Sequence, residues 1–193
     1  MTYILGEHDA EVLTAQWREM GLVVPPRTLR VIGPAFRLPL VVHGRPQHDA
    51  IRRYQEWVKG STLVVWDPLG AFLTGIDAEN DNTTMRQALN AMVEVGQDVP
   101  ATLVLHHMGK PDKEGNHPPR YAARGASAIE DSVRALWYLT AESASHHQPS
   151  WYRIKQVKYK SSPRAPAWIR LRREGVVHHL ETFARNGASK KVP

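Results

Sequence analysis

The sequence predicts an α/β fold: a mostly parallel sheet flanked by helices, with an antiparallel extension of strands towards its carboxyl end. Three observations predict it. Continuous apolar runs such as "LVVW" (63–66) and "ATLVL" (101–105) read as strands covered on both faces. Between such runs lie stretches with apolar residues at helical spacing, and strands alternating with helices build parallel sheets. After residue 150 the pattern changes to alternation, as in "WYRIKQVKYK" and "AWIRLRR", which suits antiparallel strands.

In chain order, "TYIL" (2–5) is a short strand ending at Gly6-Glu7. Asp9 is placed to cap a helix that carries Leu13, Trp17 and Met20 on one face and stops at Gly21. "LRVIG" and "LPLVVHG" are short and read as strands or loops. Ile51, Tyr54 and Val58 share one face of a helix over 47–58 that ends at Gly60. "STLVVWDPLG" is a strand, and a helix near 84–95 buries Met85, Leu89, Met92 and Val93, with Thr84 and Gln87 spaced as a capping box. "ATLVLHH" is expected to be another buried strand. A polar loop lies over 108–123, and the stretch "MGKPDKEGNHPPRYAARGAS" (108–127) that contains it holds three prolines and three glycines, a length usually tied to function or mobility. "SAIEDSV" reads as one or two helical turns and "RALWYL" as a strand. "SSPRAP" is a hairpin loop between the late strands, and "VVHHL" adds another strand after Gly175.

Composition narrows the function. The 193 residues contain no cysteine, which excludes disulfides, thiolate zinc sites and cysteine nucleophiles and fits a reducing cytoplasm. No apolar stretch approaches the length of a membrane span, and the start has no basic segment before a long apolar one. The net charge is +6, but it is local. Residues 151–175 carry eight basic side chains and one acid, so the remainder of the chain is close to neutral. Such a patch is either a contact for a polyanion such as nucleic acid or a solubilising hairpin.

Three strand ends deliver polar groups: Glu7 after "YILG", Asp67 after "LVVW", and His106-His107 after "ATLVL". In parallel sheets ligands bind beyond the carboxyl ends of strands, so a shared site at that edge is expected, against the plain alternative that each is a loop residue. Adjacent residues on a strand point to opposite faces, so His106 and His107 are poorly placed to grip one metal ion. No H-x-H, H-E-x-x-H or G-x-S-x-G spacing occurs, which disfavours zinc and serine hydrolase sites.

The strand ends carry a resemblance. "LVVWDPLG" resembles a Walker B strand, and "LVLHHMGK" followed by "RGASAIEDSVRALWYL" resembles the later motifs of RecA-like P-loop ATPases. The paired histidines, and "GIDAENDNTTM" after the Walker B strand, are similar to the branch that contains plasmid and phage hexameric replicative helicases. "YILGEHDAEVL" resembles the strand whose terminal glutamate polarises the attacking water, and "RIKQVKYK" the late strand of that domain. The resemblance implies ATP and Mg²⁺ as cofactors, DNA as a partner, a homo-oligomeric ring, no membrane, and hydrolysis by positioning and charge neutralisation. It implies that Glu7 activates water, that Asp67 holds Mg²⁺ through water, and that His107 senses the γ-phosphate while His106 braces the opposite face. Arg124 would be the arginine finger reaching the neighbouring subunit, with Glu79 and Lys110 as lesser nucleotide contacts. Lys155, Lys158, Lys160, Arg170 and Arg172 are the candidate nucleic-acid contacts.

One departure is large: no G-x-x-x-x-G-K-[ST] phosphate cradle occurs in the sequence. The expectation is a truncated RecA-like ATPase domain over 1–183, lacking its first strand and P-loop, with basic antiparallel strands over 151–180 and a flexible tail over 184–193. The missing strand is expected beside the strand that ends at Asp67, leaving buried backbone groups unpaired. On this reading the chain belongs to a DNA helicase, translocase or replication ATPase of a plasmid, phage or mobile element, and is inactive alone. The alternative is a non-catalytic module, derived from that fold, that binds nucleic acid or a replication partner. A metal-dependent nuclease would need carboxylates and histidines clustered on one face, a pattern the sequence does not show.

Overall fold

The computed structural model describes residues 1–22, 28–75, 78, 81–107, 126–141, 151–159, 168–174, 177–183 and 189–191. The chain divides into two compact units, Met1–Ser132 and Val133–Pro193.

In the first unit, β1 (Thr2–Leu5) leads to α1 (Ala10–Glu19), β2 (Arg30–Ile32), β3 (Val41–Val42), β4 (Arg45–Pro46) and α2 (His48–Val58). Then come β5 (Leu63–Asp67), β6 (Leu73–Thr74), α3 (Asn82–Val95), β7 (Ala101–Val104) and α4 (Ala126–Ser132). The main sheet has the order β2-β1-β5-β7, and its three ladders are all parallel. The expected helices form, and Gly21 and Gly60 stop α1 and α2 in left-handed conformations (φ +71° and +77°) that side-chain-bearing residues rarely adopt. The short segments left open by the sequence are resolved as β2 and as a small sheet in the order β4-β3-β6. Its β3–β4 connection is the two-residue loop His43-Gly44, with φ of 48° and 70°, the signature of a type I′ hairpin.

β5 lies between β1 and β7, and Val64, Val65 and Trp66 are buried. Ile4, Trp66 and Val104 stand in register on one face. On that side Trp66 meets Tyr54 of α2 and Phe72 edge-on, with ring centroids 5.0 Å away in each case. Met85, Leu89 and Met92 of α3 are also buried in the core. Tyr3 meets Trp17 of α1, with centroids 6.1 Å apart.

Several expectations are corrected. The cap of α3 is Asp81, whose side chain accepts from the Thr83 and Thr84 amides; a carboxylate reaching two free amides displaces the expected Thr84 capping box. Val93 is exposed, on the outer side of that helix. β7 is exposed rather than buried, with Leu103 at 48% and Leu105, just past the strand, at 37%, because β7 ends the sheet and pairs with β5 alone among the described residues. The place beside β5 expected for a missing strand is already filled on both sides, by β1 and β7.

The second unit is a five-stranded antiparallel sheet in the order β12-β11-β10-β9-β8. Its strands are β8 (Ala135–Ala141), β9 (Trp151–Tyr159), β10 (Trp168–Glu174), β11 (Val177–Phe183) and β12 (Ser189–Lys191). β12 falls within the segment expected to be a tail, where it pairs with β11; 184–188 and 192–193 lie outside the described residues.

Candidate functional site

The carboxyl ends of β1, β5 and β7 are tied together by backbone bonds that run past the strands. The Gly6 amide donates to the Asp67 carbonyl (2.6 Å), and the Leu105 amide to the Trp66 carbonyl (2.9 Å). Gly6 is required at this crossing, since a Cβ there would overlap the Ala71 methyl group. The chain therefore leaves β1 and β7 in fixed directions, and the side chains that follow are placed by backbone geometry.

The outcome is that two residues 100 positions apart meet: the Glu7 carboxylate accepts from His107 Nε2 at 3.3 Å. Their side chains remain 44% and 65% exposed, respectively, so the pair is accessible to a ligand. Asp67 closes β5, the strand between them, and its Oδ2 accepts the Tyr3 hydroxyl at 2.7 Å. The following Asp67–Pro68 peptide is cis. The Tyr3 phenol is pushed above its ordinary range, first by burial and then by the hydrogen bond to, and the charge of, the Asp67 carboxylate. It stays a donor at neutral pH and turns Oδ2 towards itself.

Two residues of this edge were not among the sequence candidates. Tyr3 pairs in register with Val65, so it shares a face with Asp67 two positions on; only the strand register reveals this. Arg37 donates to the Gly6 carbonyl at 2.7 Å, steadying the turn that presents Glu7, and lies in a loop with no sequence signal. His106 projects differently from His107, with a buried Nδ1, as alternation along an extended chain requires.

The arrangement offers two carboxylates and an imidazole at one sheet edge. Glu7 and His107 can bind and orient a water or a phosphate oxygen, and Asp67 can accept from water on a hydrated Mg²⁺. These are hard oxygen ligands of the type Mg²⁺ takes, few in number and suited to an ion that keeps its waters and binds substrate phosphates. Among the described residues no three histidine, aspartate or glutamate side chains converge as a metal cage. Glu79, Lys110 and Arg124 lie outside the described residues.

The nucleic-acid candidates Lys155 and Lys158 lie on β9, and Arg170 and Arg172 on β10; Lys160 lies outside the described residues. The Arg170 guanidinium sits over the Trp151 ring, 4.0 Å from its centroid, and that of Arg172 is at 6.0 Å. No described helix is long and apolar enough to cross a membrane.

No protein-family model matches the sequence, and no curated protein matches it. Solved structures do match. A DnaB-like replicative helicase, described with its interactions with primase, superposes with a TM-score of 0.62 at 10% identity over 90% of this chain. A KaiC-like protein of Pyrococcus horikoshii gives 0.57 at 11% identity over 88%. The chain spans about half (49%) of the helicase chain and 69% of the KaiC-like chain. With its parallel sheet flanked by helices and its antiparallel extension, the chain has the RecA-like α/β fold.

Proposed function

We propose that the chain is the sheet-bearing part of a RecA-like ATPase that couples ATP hydrolysis to DNA, as a helicase, translocase or replication ATPase of a plasmid, phage or mobile element. The observation that carries the reading is the meeting of Glu7 and His107 across the end of the strand that terminates in Asp67. The likeness to a replicative helicase supports the link to DNA replication.

In this mechanism Glu7 orients the attacking water and draws its proton. Asp67 would hold Mg²⁺ through a water, and the Tyr3 hydroxyl bond fixes its carboxylate. When bound, Mg²⁺ would supply charge neutralisation at the phosphates. His107, bonded to Glu7 here, exchanges that bond for a γ-phosphate oxygen and so releases Glu7 to the water. Arg124 reaches the site of the next subunit in a ring, a hexamer as in the resembled branch, and Lys110 and Glu79 contact nucleotide. A glycine-rich cradle for the phosphates is supplied by a segment outside these 193 residues.

The test is turnover by the chain extended upstream through such a cradle. Glu7→Gln should lower ATP turnover by about 10²- to 10⁴-fold, and Arg124→Ala should abolish it, each with nucleotide binding retained. Parental turnover in Glu7→Gln overturns the assignment. The absence of a G-x-x-x-x-G-K-[ST] motif favours a second reading, a non-catalytic module that binds nucleic acid or a replication partner. No turnover by any extended chain would establish that reading instead.

A further inference from the structure

The strand register sorts the basic residues of the second unit by face. Along β9, Trp151, Arg153 and Lys155 alternate onto one side, and Arg172 and Arg170 of β10 stand in register with Trp151 and Arg153 on that side. On β8, Tyr138 pairs with Lys155 and Thr140 with Arg153, so Tyr138 joins the same side. By simple alternation Lys158 would point to the other face. A register shift between Leu136 and Trp137 changes that: Leu136 pairs with Lys158, whereas Trp137 pairs with Gln156. Leu136 shares the face of Tyr138, so the irregularity turns Lys158 onto the side of Arg153 and Lys155. Five cations thus share one face with two aromatic rings. The opposite face carries Trp137, Leu139, Tyr152, Ile154 and Leu171.

We propose that this bulged, cationic face of β8–β9–β10 is a contact for single-stranded nucleic acid. The proposal rests on the DNA-linked reading above and names the form of nucleic acid and the surface. Charge complementarity selects a polyanion, and Arg153 and Lys155 are exposed. The rings select among polyanions. A duplex keeps its bases stacked inside, so aromatic groups set among the cations gain nothing from it, whereas a single strand presents π-faces. The Arg170 guanidinium, centred 4.0 Å above the Trp151 ring, joins a cation to an aromatic face against which a base can stack.

The 193-residue chain is titrated with a labelled oligothymidylate, a duplex of equal length and anionic phospholipid vesicles over a range of salt. The single strand should bind at least tenfold more tightly than the duplex, and vesicles should not compete. Changing Lys155, Lys158 and Arg170 together to alanine should reduce the salt slope by about 2, at roughly 0.7 per lost phosphate contact. Trp151→Leu should weaken single-strand binding about tenfold without altering the slope. Circular dichroism identifies any variant that misfolds, and Lys155→Ala alone, expected to remove about one third of the effect, replaces it. Equal affinity for duplex, competition by vesicles, or an unchanged slope in the triple variant overturns the surface while leaving the ATPase reading in place. No nucleic-acid binding by the parental chain overturns both the surface and the DNA link.

Discussion

At the scale of single residues, Tyr3 has the clearest unassigned role at the candidate site. Its hydroxyl bonds to the Asp67 carboxylate, and burial together with that carboxylate raises its proton affinity. A raised value means the folded state prefers the protonated phenol. The bond therefore contributes fully below the ordinary tyrosine value of about 10, and its contribution is lost as pH rises through the raised value. Tyr3→Phe should lower stability at neutral pH by about 1 kcal/mol and should shrink the alkaline loss. Denaturant midpoints measured against pH test this. Equal midpoints for variant and parent at neutral pH would remove Tyr3 from the account. Tyr54 shows the same physics in the core: burial pushes its phenol up to about 12, against the lowering influence of the Leu38 backbone bond and of Arg37.

At the scale of elements, α3 shows how a helix start is decided. The sequence offers a Thr84–Gln87 box, but Asp81 accepts from the Thr84 hydroxyl (2.5 Å) and amide (2.9 Å) and the Thr83 amide (3.2 Å). The Thr84 hydroxyl first, and then the two amides, hold the Asp81 carboxyl below its ordinary value. A lowered value contributes stability above the ordinary carboxylate range and loses it as pH falls through the lowered value. Asp81→Ala should depress the thermal midpoint at neutral pH, and its difference from the parent should narrow below about pH 4. A constant difference across that range would show that the charge on Asp81 is not what caps the helix.

At the scale of the whole molecule, the side of β7 that is unpaired among the described residues matters most. Leu103, and Leu105 just past the strand, are exposed, and β7 pairs with β5 alone among the described residues. The cost is therefore exposed apolar surface and a tendency to pair with other chains, rather than the buried, unpaired groups expected from sequence. The chain extended upstream through a phosphate cradle should unfold at a higher temperature and bind Mg-ATP far more tightly than the 193-residue chain. Paired thermal unfolding and calorimetric titration measure both. Cooperative unfolding with micromolar ATP binding by the 193 residues alone would refute the need for that segment.

The α/β class, the strands ending at Glu7, Asp67 and the histidines, and the basic late strands were legible in the sequence. Apolar runs, helical spacing and alternation are local consequences of what each element buries. Strand order was not legible, because it depends on contacts between distant segments, and so the place beside β5 was misassigned. The Glu7–His107 bond, the Tyr3 anchor and the Arg37 brace needed register and turn geometry. The common face of Lys155 and Lys158 needed a β-bulge that no pattern announces. Composition and periodicity determined which elements exist and where polar groups leave them; tertiary pairing alone decided which of those groups meet, since one step of register reverses the face a side chain occupies.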